Sequence, residues 1–164
     1  MISFRKGSIF DSHAQTLVNP INCVGVMGKG LALQFKTRFP AMHADYVIRC
    51  RARSVRLGYP YLFKSPLLPW ILNFPTKDHW RSLSSLDDIE HGLHVLRQSA
   101  QTWGITSLAV PALGCGNGQL PWEAVRALLH QYLVHLPFPV DLYGPVPRAL
   151  TAAYPTHVSS LEIP

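Results

Sequence analysis

Two glycine-bearing segments carry the clearest chemical pattern in this chain. The first, Asn19-Pro20-Ile21-Asn22-Cys23-Val24-Gly25-Val26-Met27-Gly28-Lys29-Gly30, runs directly into a helical pattern. The second, Ala112-Leu113-Gly114-Cys115-Gly116-Asn117-Gly118-Gln119-Leu120, joins a strand-like run to another helical pattern. Glycine lets the backbone approach a ligand closely, and a helix N-terminus offers unpaired N–H groups to an anion. A single loop of this kind is commonly only a tight turn. Two on one sheet, both at the carboxyl ends of strands, favour a diphosphate held between them. Neither has the Gly-Lys-Ser or Gly-Lys-Thr of a P-loop, and no acidic residue ends the next strand as the dinucleotide fingerprint requires.

The side chains narrow the chemistry further. The nine acids can be accounted for individually. Asp87, Asp88, Glu90 and Glu123 fall at helix starts, where the helix dipole explains them. Asp45 lies in a helical pattern, Asp141 in a strand and Glu162 near the C-terminal end. Only Asp11 and Asp78 remain near the loops, and neither has an obvious partner, so a two-carboxylate glycosidic mechanism is poorly supported. Lys77 follows a strand through Pro75, where a lysine is ordinarily a solvated surface charge. Cys23, Cys50 and Cys115 have no metal-ligand spacing, and His91 and His94 have no third ligand nearby, so no metal site is expected.

His79, Trp80 and Arg81 combine side chains suited to stacking and phosphate contact. The formal charge of +6 reflects few acids rather than a basic tail, a moderate polyanion signal. Arg49, Arg51, Arg53 and Arg56 are either solvated cations at a helix C-terminus or a phosphate-tracking patch. No interleaved aromatic pattern accompanies them in the sequence.

The elements that must position these residues alternate between short apolar runs and longer helical patterns, which predicts an α/β sheet covered by helices. Strands are expected at Gln15–Val18, Trp70–Asn73, Ile105–Val110 and Val140–Tyr143, with a weaker one at Tyr59–Phe63. A helix begins near Gly30, with Leu31, Phe35 and Phe39 on one face until Pro40 interrupts, and a second covers Ala41 to about Arg53. Ser84 and Ser85 stand at capping-box spacing from Asp87 and Asp88, opening a helix striped by Ile89, Leu93, Leu96 and Ala100. The last helix places Pro121 in its first turn and carries Val125, Leu128, Leu129 and Leu133. A domain over 1–148 and a loosely held tail over 149–164 follow from the Pro-, Ala- and Ser-rich end. No apolar run reaches the roughly 18 residues of a membrane span. The first residues lack a secretory signal, so a cytoplasmic protein is expected; a monomer is expected as well.

Three ordered segments carry a specific resemblance: Asn19 to Phe35, Asn73-Phe74-Pro75-Thr76-Lys77-Asp78-His79-Trp80-Arg81, and Pro111 to Gly116. Over roughly residues 1 to 145 the chain resembles macrodomains. Within them it is similar to the branch of DarG-type DNA ADP-ribosyl glycohydrolase antitoxins, related to terminal ADP-ribose protein glycohydrolase. The resemblance implies a mixed β-sheet sandwiched between helices, with ADP-ribose as ligand and no metal or cofactor. It places Asn22 and the backbone of Val26, Met27, Gly28, Lys29 and Gly30 around the distal ribose and diphosphate. Ala112, Leu113, Gly114, Cys115, Gly116, Asn117 and Gly118 would cradle the diphosphate from the other side, with Tyr143 near the nucleotide.

Many family members carry Gly-Asp-Ile for adenine; here the segment is Gly7-Ser8-Ile9, which weakens the expected adenine contact. Lys77 takes the position of a lysine acting at the anomeric carbon of the distal ribose. It would act either as a desolvated nucleophile or as a cation stabilising the leaving group. The protein-directed enzyme has an aspartate two residues after its Gly-Cys-Gly, where this chain has Gly118. That departure implies a nucleobase substrate, thymidine in single-stranded DNA, with His79, Trp80 and Arg81 as contacts. Removal from acidic protein side chains, deacetylation of O-acetyl-ADP-ribose and non-catalytic reading are the alternatives. A cognate ADP-ribosyltransferase toxin is the implied partner.

Overall fold

The structure is a computed structural model that describes residues 1–145; the expected tail at 149–164 lies outside them. Six strands form one sheet in the order β1-β6-β5-β2-β4-β3. They are β1 (Ile2–Arg5), β2 (Thr16–Ile21), β3 (Tyr61–Phe63), β4 (Trp70–Pro75), β5 (Leu108–Val110) and β6 (Val140–Tyr143). All neighbours pair in parallel except β3, which runs antiparallel along the edge of β4. Four helices cover the sheet: α1 (Gly30–Arg38), α2 (Pro40–Arg51), α3 (Leu86–Ser99) and α4 (Trp122–Leu133).

Strand alternation decides which helices lie on which face. Leu17 and Ile21 of β2, Ile71 and Ala109 share one core cluster with Phe35, Met42 and Tyr46 of α1 and α2. Val18, Leu72, Phe74, Leu108, Val110 and Leu142 point the other way, into a cluster with Ile89, Leu93 and Leu96 of α3 and Val125, Leu129 and Leu133 of α4. Successive side chains on a strand face opposite sides, so central strands covered on both faces become apolar throughout. This is the expected mixed sheet sandwiched between helices.

Several boundaries differ from the sequence expectation, each for a local reason. β1 went unforeseen because it is a short, half-exposed edge with Phe4 turned to solvent. The strand expected from Ile105 begins only at Leu108. The Thr106 N–H instead binds Gln15 Oε1 (2.8 Å), and Ser107 Oγ accepts from the Gln15 N–H (2.7 Å). Gln15 thereby clamps that segment from outside the ladder, and β2 begins one residue after it. Pro121 is extended, with ψ of 129°, so it caps α4 from outside its first turn. The capping box at α3 does not form: Ser85 is the N-cap residue but its side chain makes no cap bond.

Candidate active site

Adjacent strands β5, β2 and β4 send their carboxyl ends to one edge of the sheet. From β2 the chain turns to α1 on one face; from β4 and β5 it turns to α3 and α4 on the other. Connections that part to opposite faces open a crevice above the sheet, the ordinary ligand position in such folds. Three segments line it: residues 22–29, 76–85 and 111–121.

Backbone bonds stitch these segments together. The Thr76 N–H donates to Ile21 O (2.9 Å) and the Cys23 N–H to Asp78 O (2.8 Å). Asn22 and Lys77 therefore stand side by side, between two cross-links. Farther along, the Ser84 N–H donates to Gly118 O (3.1 Å), which joins the Lys77 segment to the second glycine loop. The two glycine loops also meet, since a Cβ at Gly30 would lie 3.6 Å from Asn117 Nδ2.

Asn22 is buried and holds the first loop in shape. Its Oδ1 accepts from the Val24 N–H (3.1 Å) and the Val26 N–H (3.4 Å), and its Nδ2 donates to Val26 O (2.6 Å). The Tyr46 hydroxyl, from α2, shares its proton between Asn22 O (3.0 Å) and Oδ1 (2.7 Å). An amide nitrogen carries two hydrogens, so one donor of Asn22 is left for a ligand. Beneath the loop, Asn19 donates to Asn73 Oδ1 (3.0 Å) and Asn73 to the Tyr61 hydroxyl (3.1 Å), a polar ladder across β2, β4 and β3. The Met27 side chain is buried over that ladder, so only its backbone faces the crevice.

Lys77 is half-buried, and its ammonium donates to Trp80 O (3.0 Å). Burial holds its pKa below the usual lysine value, and the charge of Lys29, at the N-cap of α1, lowers it further. Removing a cation from water and placing a like charge nearby both favour the neutral amine. A lysine on each side of the crevice is also the electrostatic arrangement an anionic ligand would relieve.

Gly118 is buried, and its surroundings leave no room for a side chain. A Cβ there would overlap Ser84 Oγ and lie 2.5 Å from the Gly114 carbonyl oxygen. Gly116 is open, with nothing within 4 Å of its Cβ position. The loop thus pins its two outer glycines and presents the middle of its arch. Leu113 points into the α3–α4 core and Cys115 Sγ bonds back to Leu113 O (3.6 Å), which leaves backbone as the main ligand-facing material.

A family model for the macro domain matches residues 18–129, which spans both glycine loops and the Lys77 segment. The chain belongs to the macro domain family. It is 38% identical to a DNA ADP-ribosyl transferase–DNA ADP-ribosyl glycohydrolase fusion protein of Thermosipho africanus, over 91% of this chain and 43% of that protein. It is 43% identical to a DNA ADP-ribosyl glycohydrolase of Mycobacterium tuberculosis, over 84% of this chain and 40% of that one. This chain thus spans less than half the length of these curated relatives. Among solved structures it superposes on the macrodomain of Mycobacterium tuberculosis DarG with a TM-score of 0.86 at 41% identity, covering 89% of this chain and 99% of that one. Thermosipho africanus DarTG in complex with ADP-ribose gives the same score at 40% identity, covering 88% of this chain and 42% of that one.

Not every residue expected at the site gathers around the macrodomain crevice. Ser8 Oγ accepts from the Phe10 N–H (3.2 Å) and caps a short 3₁₀ turn at Ile9–Asp11, which leaves the hydroxyl one lone pair and its proton. Ile9 and Tyr143 are buried in the same core cluster, and Tyr143 lines a shallow groove of about 460 Å³ with Arg5, Asp11 and His13. Ala112 begins the second loop, and Val26, Gly28, Lys29 and Asn117 are exposed at the rim. His79, Trp80 and Arg81 stack as a unit beside Lys77, with Arg81 4.5 Å above the Trp80 ring and His79 5.2 Å from it. No group of three potential metal ligands occurs among the described residues.

Sequence reasoning missed Tyr46, Ser84 and the carbonyl of Asp78. Tyr46 lies inside the expected Ala41–Arg53 helix with nothing in the sequence to mark it, and Ser84 reads as half of a capping box. A backbone carbonyl leaves no mark in a sequence at all.

Proposed function

We propose that this macrodomain is an ADP-ribosyl glycohydrolase that removes ADP-ribose from a nucleobase, thymidine in single-stranded DNA. The observation that carries the reading is the seat of Lys77: half-buried, its charge disfavoured by burial and Lys29, and held beside Asn22 by the bonds at Thr76 and Cys23. The relatives named DNA ADP-ribosyl glycohydrolase support the substrate, and the relative solved with ADP-ribose supports the ligand. Asn22 orients the distal ribose, the amides of residues 26–30 and 114–118 hold the diphosphate, and no cofactor takes part.

The Lys77 amine attacks the anomeric carbon, and the base leaves with the bonding electron pair and takes up a proton. Water then releases ADP-ribose and regenerates the amine. Gly118 supports this assignment, because the crowding by Ser84 and Gly114 excludes an acid that would assist protein-directed cleavage. A cytoplasmic location and a cognate ADP-ribosyltransferase partner fit such a substrate, and the fusion relative carries both activities in its name.

The test compares wild type with Lys77→Ala on ADP-ribosylated single-stranded DNA and on ADP-ribosylated protein. Wild type releases ADP-ribose from the DNA, and the variant loses at least about 100-fold in turnover while still binding free ADP-ribose. The pH profile follows from the direction of the shift. The cation dominates below the lowered pKa and the amine above it, so turnover rises with pH through a midpoint below the ordinary lysine value of 10.5. Release from protein alone would redirect the substrate assignment, and equal turnover by Lys77→Ala would remove the lysine from the chemistry.

A further inference from the structure

The four arginines at and just beyond the end of α2 do not share one environment. Arg49 is ion-paired with Asp45 (2.7 Å) and lies 4.6 Å above the half-buried Tyr61 ring, so it belongs to the fold. Arg56 instead lies 4.9 Å above the ring of Tyr59, which is 46% exposed. The other neighbour of Tyr59 is His91 of α3, at 5.1 Å between ring centres. Gly58 makes that contact possible: it has a positive φ of 79°, and a Cβ there would lie 2.9 Å from the His91 ring. The aromatic partner absent from the sequence pattern is thus supplied by the chain turning back.

The Arg56–Tyr59 stack matches the one at Arg81 and Trp80, where Trp80 is 39% exposed and flanked by His79. One residue joins the two stacks. The Leu57 backbone lies close to the Cys23 thiol, and the Cys23 N–H donates to Asp78 O (2.8 Å). Leu57 is next to Arg56, and Asp78 is next to His79. The two stacks therefore rise on either side of Cys23, beside Asn22 and Lys77. Arg51 and Arg53 add exposed cations on the Arg56 side, while Asp78 and Asp88 are the acids near Cys23.

We propose that the single strand flanking the reacting base runs across this surface, with Arg56–Tyr59 and Arg81–Trp80 as its two stacking platforms. The inference rests on the nucleobase reading above and adds where the rest of the strand lies. Charge complementarity selects the occupant. A guanidinium lying flat on an aromatic ring keeps one planar face for a base and its N–H edge for phosphate. Alternating platforms of this kind suit a single strand, whose bases are free to unstack, better than a duplex.

The test measures binding of an unmodified thymidine-rich single-stranded DNA to wild type, Arg56→Ala/Tyr59→Ala and Trp80→Ala/Arg81→Ala, over a salt series. Each double variant weakens binding about tenfold, and the slope of log affinity against log salt falls by about 0.7 for each arginine removed. Melting temperature and affinity for free ADP-ribose report whether the variants are folded. Unchanged affinity and slope in both folded variants would overturn the proposal, as would equal competition by an acidic peptide. RNA of the same sequence serves as a second arm; equal binding supports recognition of the single strand through bases and phosphates rather than through the sugar. The probe carries no ADP-ribose, so the proposal stands or falls separately from hydrolysis. A wild type that binds the strand but releases nothing from modified DNA would fail the glycohydrolase reading alone.

Discussion

A methyl group at position 118 has no space to occupy. It would overlap Ser84 Oγ and press on the Gly114 carbonyl, and the second of these belongs to the backbone of the same loop. Gly118→Ala is expected to lower stability by about 1–3 kcal/mol, as overpacking does, and to weaken ADP-ribose binding with it. Adding Ser84→Gly should restore only part of the loss, because the carbonyl remains. Denaturant midpoints of the two single variants and the double variant check this, and full recovery would exonerate Gly114. At this scale the glycines at alternate places were legible from the residues themselves, whereas Lys77, an ordinary surface cation by its position, stood out only through the family resemblance. The sequence assigns Ser84 to a capping box, whereas its buried hydroxyl has no hydrogen-bond partner among the described residues. Its value is steric and depends on a loop far away in the chain.

Between elements, the first glycine loop leans on α2 through a single hydroxyl. Tyr46 is fully buried, and the burial that raises its pKa also makes its bonds to Asn22 expensive to lose. Tyr46→Phe keeps the ring but removes the donor, at an expected cost of about 1–2 kcal/mol in stability. Because the loop that carries Asn22 loosens, the Kd for ADP-ribose should rise about fivefold. Calorimetric titration and thermal melting check both. An unchanged Kd would mean that the Asn22 bonds to the Val24 and Val26 backbone suffice to shape the loop. Short apolar runs and period-3.6 patterns made most elements legible, including the break between α1 and α2 at Pro40. The stitches at Thr76, Cys23 and Ser84 were not legible, since each joins backbone to backbone and any residue but proline would permit it.

The whole molecule poses a question of extent. The family match covers residues 18–129, yet that span is not a complete folding unit. It omits β1 and β6, whose parallel pairing continues the sheet from β5, and with β6 it omits Val140 and Leu142 from the α3–α4 core. A chain cut to 18–129 would leave the β5 edge unpaired and that core open, so it should not melt cooperatively. A chain ending after Arg148 is different. It retains all six strands and both core clusters, as well as the three segments that line the crevice. Its melting temperature should stay within about 4 °C of the full chain, the shift that roughly 1 kcal/mol produces in a domain of this size. Its affinity for ADP-ribose should be unchanged. A larger fall in melting temperature would mean that residues 149–164 contribute to the fold, and weaker binding alone would mean that they reach the ligand.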